Sequence, residues 1–313
     1  MISIEKSGIM TTIQGAPRSG YLSMGFPASG PMDSVSMRAA NYLLGRPAWQ
    51  SCLEMYIKGP QVRFHQDMQI AICGADMQPT VNGYATSQNT IIDIKANDVL
   101  AFQPAKNGMI AYLAFNGAVK IPDYLHSTST YLAAGFGGLS GRSLRAGDKV
   151  HFETLEKSTS TILPNRLRFA GQQHASLRIL KGPEFQLFDK GMQNRFLQTT
   201  FKVSPDSNRM GIRLQSEKGI SPAAGEINSS AIVPGTIQVP SSGSPIVLSQ
   251  DHQTTGGYPR IANVITHDMP YLAQLQPGAE VSFRLTTLSK AQQLLFQREQ
   301  YLTQLFNKLH QTR

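Results

Sequence analysis

Apolar and polar positions alternate along most of the chain in short runs, each entered through a polar turn. The segments IIDIKANDVLAF (91–102), LRAGDKVHF (144–152) and LQPGAEVSF (275–283) share that shape. A period of two puts successive side chains on opposite faces, which reads as half-buried β-strand. PTVNGYAT holds Asn82-Gly83, a pair that predicts a two-residue hairpin because both turn positions need positive φ. IKGPQVRF (57–64) and ILKGPEFQLF (179–188) read as two related strand entrances.

Helical spacing is confined to three stretches. MDSVSMRAANYLLG (32–45) offers Asp33 as N-cap, an apolar face of Met37, Ala40, Leu43 and Leu44, and Gly45 as the stop. EFQLFDKGMQNRFLQ (184–198) predicts one or two turns. The segment 288–310 predicts a terminal helix capped by Ser289, with Leu295, Leu302, Leu305 and Leu309 as a stripe docked on the protein's own body or, alternatively, offered to a partner. The pattern therefore predicts a mainly β protein with a few helices. It forms two similar β halves joined through the polar connector EKSTSTILPNR (156–166).

Composition narrows the class. With 313 residues, two domains are the expectation; 41% hydrophobic and 16% charged residues are ordinary for a folded chain. The longest apolar run, 109–115, is far short of the roughly 20 residues that cross a bilayer, and MISIEKSGIMTT holds no signal-peptide core. Cys52 and Cys73 lack metal-site spacing and read as buried free thiols, so a reducing cytoplasm is expected. Lys and Arg number 29 against 20 acids, but the surplus of nine is spread without a block and without stacking aromatics. That argues against nucleic acid and for small anions or an acidic partner.

Polar residues crowd into SQDHQTTGGYPR (249–260). If 246–253 is a strand, Ser249, Asp251 and Gln253 share one face and Leu248, Gln250 and His252 the other. GTIQVP (235–240) alternates too, and 240–245 reads as the turn of a hairpin that brings Gln238 beside Asp251 and Gln253. Gly256 and Gly257 lack Cβ atoms, so backbone N–H groups there can face an anionic or carbonyl ligand, with Thr254 and Thr255 adding hydroxyls. The plainer reading is a glycine turn that closes a barrel.

VSPDSNRMG (203–211) supplies a turn whose Arg209 suits a carboxylate or phosphate; a turn alone accounts for its other polar residues equally well. In GFPASGPMD (25–33), Ser29 and Gly30 precede a helix, where free N–H groups bind anions or where Ser29 or Asp33 simply caps. The loop GFGGLSGRSLRAGD (135–148) fits neither a P-loop nor a dinucleotide fingerprint. The seven histidines show no metal-binding spacing, so no metal site is expected, and no Gly-x-Ser-x-Gly elbow is present.

In order along the chain, TTIQGAPRSGY, PASGPMD, LEMYIKGP, STYLAAGFGGLSGRSLRAGD, VSPDSNRMG, GTIQVP and DHQTTGGYPRIA resemble one family. It is that of the 5-oxoprolinase C component, also called allophanate hydrolase subunit 2 or the biotin-dependent carboxyltransferase family. The resemblance spans roughly residues 8–285. It implies two cyclophilin-like β-barrel domains, placed here at 1–165 and 166–286, and a C-terminal helix at 287–313.

The resemblance further implies a subunit of an ATP-dependent complex that opens 5-oxo-L-proline to L-glutamate, an amide-bond hydrolase. Its partners would be a protein like the 5-oxoprolinase B component and also the A component. One alternative is transfer of a carboxyl group from carboxybiotin to a urea-like substrate. Another is a non-catalytic regulator of a kinase-inhibitor-like B component. No cofactor is expected to be held tightly by this chain: ATP acts at the level of the complex, and biotin, in the first alternative, rides on another protein.

The expected site takes a small amide. Asp251 would be acceptor or base, Gln238 and Gln253 would orient the amide, Arg209 would hold a carboxylate, and the 256–257 backbone would face developing oxyanion charge. Ser204, Asp206, Thr254, Thr255, Tyr258, Ser29 and Gly30 complete the expected binding set. The departure lies in QGAPRSG, where Gly15 and Pro17 stand in place of the Asp and Gly usual in the family, while Gln14, Arg18 and Gly20 are kept.

Overall fold

The computed structural model describes residues 1–153, 157, 162–169, 171, 173–222, 225 and 227–311, with side chains as far as 308. Backbone contacts group the chain into two units. The first comprises Met1–Arg18, Ser29–Gly171 and Leu302–Arg313, and the second Ser19–Ala28 and Gln172–Tyr301. This grouping is interleaved along the sequence; the linear boundaries at 165 and 286 stand beside it as expectations. Most of the connector 156–166 lies outside the described residues.

In the first unit two sheets share one core. The six-stranded sheet runs Lys149–Val150, Ile2–Lys6, Gln61–Phe64, Val99–Ala101, Thr80–Val81, Tyr84–Ala85. The five-stranded sheet runs Met10–Gln14, Cys52–Tyr56, Asn107–Phe115, Met68–Asp76, Ile91–Ile94. Ile2, Ile4, Val62 and Phe64 from one sheet meet Ile13, Leu53, Ile72 and Leu113 from the other. Strands of the first sheet alternate buried and half-exposed positions, as a one-sided sheet must. Cys52–Tyr56 is buried throughout, and helix α1 (Ser34–Leu43) packs on its sheet over Met68–Asp76 and Asn107–Phe115.

The second unit is a closed seven-stranded barrel: His174–Lys181, Arg260–Val264, Thr236–Gln238, Ile246–Leu248, Gly211–Gln215, Phe201–Val203, Glu280–Leu285. The last strand returns to the first in parallel register, His174 opposite Glu280. Phe196 of helix α2 (Lys190–Gln198) stacks on Phe283 at 5.0 Å and meets Phe201 at 5.9 Å, burying the helix against the barrel. Helices α3 (Met269–Ala273) and α4 (Leu288–Gln311) complete the described α-helices, beside short 3-10 turns at Leu22–Met24, Asn165–Leu167 and Phe185–Leu187. The mainly β reading with a few helices holds.

Local signals land closely in places. Asn82 and Gly83 have φ of 52° and 85° between the paired strands Thr80–Val81 and Tyr84–Ala85, as the hairpin requires. Asp33 caps α1, accepting the Val35 and Ser36 amides. Ser289 does not cap α4; it falls inside the helix, and the Thr287 hydroxyl accepts the Lys290 amide instead. Leu302 is buried and Leu295 and Leu305 are half-buried, while the side chain of Leu309 lies outside the described residues. The two KGP segments are not equivalent: Gln61–Phe64 follows the first, whereas His174–Lys181 ends at the second.

Candidate functional site

One open polar pocket of about 390 Å³ forms on the barrel unit. Its floor is the strand Gly211–Gln215, which buries Ile212 and Leu214 and turns Arg213 and Gln215 outward, two residues apart on one face. The preceding turn is fixed by its own side chains. Ser204 Oγ accepts the Asp206 amide at 3.2 Å and Gln215 Nε2 at 3.3 Å, Ser207 Oγ accepts the Arg213 amide at 3.0 Å, and Asn208 Oδ1 accepts the Met210 amide at 2.8 Å. Ser242 and Ser244 from the hairpin turn, and Tyr258, form the remaining polar wall.

The pocket thus joins a carboxylate, Asp206, and a guanidinium, Arg213, to hydroxyl and amide groups. Among the described residues neither charged group makes an ion pair, so both remain available to a ligand. Ser204, Asp206 and Tyr258 belong to the expected site; Arg213 and Gln215 are missed by the sequence reading. Strand alternation after SPDSNRMG is the signal that finds them.

Other expected members do not join this pocket. Arg209 and Asp251 hold each other: Arg209 Nε donates to Asp251 Oδ2 at 2.7 Å and Nη2 to Oδ1 at 3.0 Å, and both side chains are 3% exposed. A guanidinium so engaged and buried is not presented to a substrate carboxylate, nor is Asp251 presented as a base. The strand expected over 246–253 ends at Leu248, and 250–251 form a turn. The polar row of Ser249, Asp251 and Gln253 therefore does not exist, and Gln253 is exposed.

The hairpin itself forms, with Gln238 opposite Ile246 rather than beside Asp251. Gln238 is buried and donates to the Tyr258 carbonyl at 3.3 Å, behind the pocket wall. Thr255–Gly256 is a short strand paired with Ser230–Ala231. A Cβ on Gly256 would lie 2.6 Å from Nε2 of the buried Gln238, whose amide would have to shift to admit it. A Cβ on Gly257 would lie 3.0 Å from the Ile227 carbonyl oxygen, and the Gly257 carbonyl accepts the Ile227 amide at 2.8 Å. Thr254 is half-buried and accepts the Ile232 amide through its carbonyl. Burial pushes His252 below its ordinary 6.5, so it is neutral near pH 7, with Nδ1 on the Gln253 carbonyl.

In the first unit, Ser29 and Gly30 both adopt left-handed backbone, φ 51° and 87°, and both are buried. The N–H groups at the start of α1 are taken by Asp33, so capping is the reading that holds there. Just before it, Glu54 accepts the Met32 amide at 2.8 Å and the Tyr112 hydroxyl at 2.6 Å, while the Tyr112 oxygen accepts the Asp33 amide at 2.8 Å. Burial and the neighbouring Glu54 raise the Tyr112 phenol well above 10.

The two departures in QGAPRSG have physical counterparts. A Cβ on Gly15 would meet Thr128 Oγ1 at 2.4 Å and Ser51 Oγ at 3.1 Å, and those two hydroxyls bond each other at 2.7 Å. Pro17 packs on Gly30, its Cγ 2.9 Å from where a Cβ would sit. Among the described residues no group of three His, Cys, Asp or Glu side chains is placed to hold a metal ion, and no helix is long and apolar enough to cross a membrane.

Residues 24–285 match the model of the carboxyltransferase domain, subdomains A and B. The chain is 34% identical over 310 residues to the 5-oxoprolinase C component of Escherichia coli K12, covering 99% of each. It is 34% identical over 307 residues to the 5-oxoprolinase C component of Haemophilus influenzae, covering 97% of each. The crystal structure of Kluyveromyces lactis urea carboxylase superposes with a TM-score of 0.90 at 27% identity; the match covers 97% of this chain but 29% of that one. The chain belongs to the carboxyltransferase domain family.

Proposed function

We propose that this member of the carboxyltransferase domain family is a subunit of an ATP-dependent 5-oxoprolinase complex that opens 5-oxo-L-proline to L-glutamate. The observation that carries the reading is 34% identity, over 99% of both chains, to a protein named as the 5-oxoprolinase C component. The barrel pocket supports it chemically. 5-Oxoproline presents a carboxylate and a ring amide, whose oxygen accepts and whose nitrogen donates.

Arg213 pairs with the substrate carboxylate. Asp206 accepts the ring N–H, and Gln215 and the serine hydroxyls donate to the ring carbonyl. A volume near 390 Å³ lies at the small end of ligand sites, in keeping with a substrate of this size. The partner in this reading is a protein like the 5-oxoprolinase B component, with the A component completing the ATP-dependent step.

A second reading is favoured by the TM-score of 0.90 against urea carboxylase: a carboxyltransferase module acting on a urea-like amide, with biotin carried by another protein. One reconstitution separates the two. The A and B components with ATP and 5-oxo-L-proline should release glutamate only when this chain is added. Glutamate release indifferent to the chain, alongside carboxylation of urea that needs this chain together with bicarbonate, ATP, a biotin carboxylase and a biotinylated carrier, would favour the second.

A further inference from the structure

A second cavity on the barrel unit, about 570 Å³, lies beside the first and shares Gln215 with it. Every residue that lines it is polar or charged, with aliphatic side-chain stems forming much of the wall. Arg195 comes from the last turn of α2, Thr199 and Thr200 from the link that follows, Lys202 from the strand Phe201–Val203, and Ser216, Glu217 and Lys218 from the loop after Gly211–Gln215. Three cations face one carboxylate in the lining, and Glu280 stands opposite Lys202 on the next strand, which leaves a local excess of one positive charge.

Lys202 is the one outward residue of its strand, opposite Gln215 on one side and Glu280 on the other. Among the described residues neither Lys202 nor Lys218 makes an ion pair, and Glu217 pairs with neither. Arg195 is held in place by a bond to the Gly219 carbonyl at 3.4 Å and by the Met192 sulfur at 3.6 Å. The end of a helix carries partial negative charge, which opposes an anion. Thr199 donates both its amide and its hydroxyl to the Arg195 carbonyl, at 2.9 and 2.7 Å, which satisfies one carbonyl of that last turn, and the cationic side chains must outweigh the rest.

We infer that this cavity binds a small phosphate-bearing anion. Two lysines on separate elements act as point charges that fit around a tetrahedral dianion, while Arg195 and the Thr200 hydroxyl supply directed donors. The volume lies within the range of small-molecule sites and exceeds what one inorganic phosphate fills. The inference stands on this lining alone and does not depend on the amide pocket beside it.

Titration calorimetry of the full chain with tripolyphosphate, ATP and AMP at fixed salt tests it. Saturable binding is expected, weakened at least about tenfold by Lys202→Gln and again by Lys218→Gln, with melting temperatures unchanged. Equal affinity for tripolyphosphate and ATP identifies a site that reads phosphate alone; tighter ATP binding identifies a nucleotide. Absence of saturable binding, affinity unmoved in the Lys202→Gln/Lys218→Gln double variant, or binding confined to a single-stranded oligonucleotide or an acidic protein overturns the inference.

Discussion

Arg209 grips Asp251 with two parallel hydrogen bonds, at 2.7 and 3.0 Å, and almost no part of either side chain reaches water. The backbone repeats the link: the Asp251 amide donates to the Arg209 carbonyl at 2.8 Å, and the Ser249 amide to the Met210 carbonyl at 3.0 Å. The pair therefore clamps the 204–210 turn, which carries Asp206, to the segment leaving Ile246–Leu248. Removing one partner strands a charge in a dry place. Asp251→Asn is expected to lose about 3–5 kcal/mol of stability, while Arg209→Met combined with Asp251→Leu recovers more than half of that loss. Urea denaturation of both variants checks it; a single variant as stable as the parent would show that the pair is not a clamp.

Arg213 faces the pocket without an ion-pair partner among the described residues, so its replacement should leave the fold intact. In the reconstituted complex, Arg213→Gln is expected to raise KM for 5-oxoproline by roughly 10–100-fold with kcat little changed, the loss of one charge-assisted bond. An unchanged KM would remove the pocket from substrate binding.

The sequence was most legible where a local rule decides the conformation. Asn82-Gly83 had to make its hairpin, and Asp33 had to cap α1, because neighbouring backbone groups leave few alternatives. It was least legible where tertiary partners choose. SQDHQTTGGYP alternates well enough to extend the strand past Leu248, but Arg209, forty-two residues earlier in the chain, draws Asp251 into a turn. The same draw took Arg209 out of the pocket. Ser204, Asp206 and Tyr258 were found through family resemblance, whereas Arg213 and Gln215 needed the observed burial alternation of their strand.

Gly15 occupies a place closed by two hydroxyls. Gly15→Ala is expected to destabilise the first unit by about 1–3 kcal/mol, since its Cβ would press on Thr128 Oγ1. Adding Thr128→Ala removes that atom and should restore part of the loss, a coupling of about 0.5–3 kcal/mol in a double-mutant cycle. Purely additive effects would mean that the glycine answers to something other than the Ser51–Thr128 pair.

Asp268 ties the start of α3 to the barrel strand His174–Lys181. It accepts the Arg178 amide at 2.8 Å and Nε at 2.9 Å, takes a further bond from Arg178 Nη2, and meets His267 Nδ1 at 2.9 Å. Burial alone would raise its pKa, but the hydrogen bonds from His267 and Arg178 and the Arg178 charge outweigh it, lowering the value from 3.8 to about 2. A carboxylate depressed in the folded state stabilises above its unfolded value, and the contribution fades as pH falls from about 3.8 to about 2. Asp268→Asn should therefore lower stability by about 1–2 kcal/mol above pH 4, after allowance for solvent screening, and by progressively less toward pH 2. Denaturation curves of parent and variant across that range should converge at the acid end. A gap of constant size would mean that the ion pair contributes nothing and that Asp268 acts only through neutral hydrogen bonding.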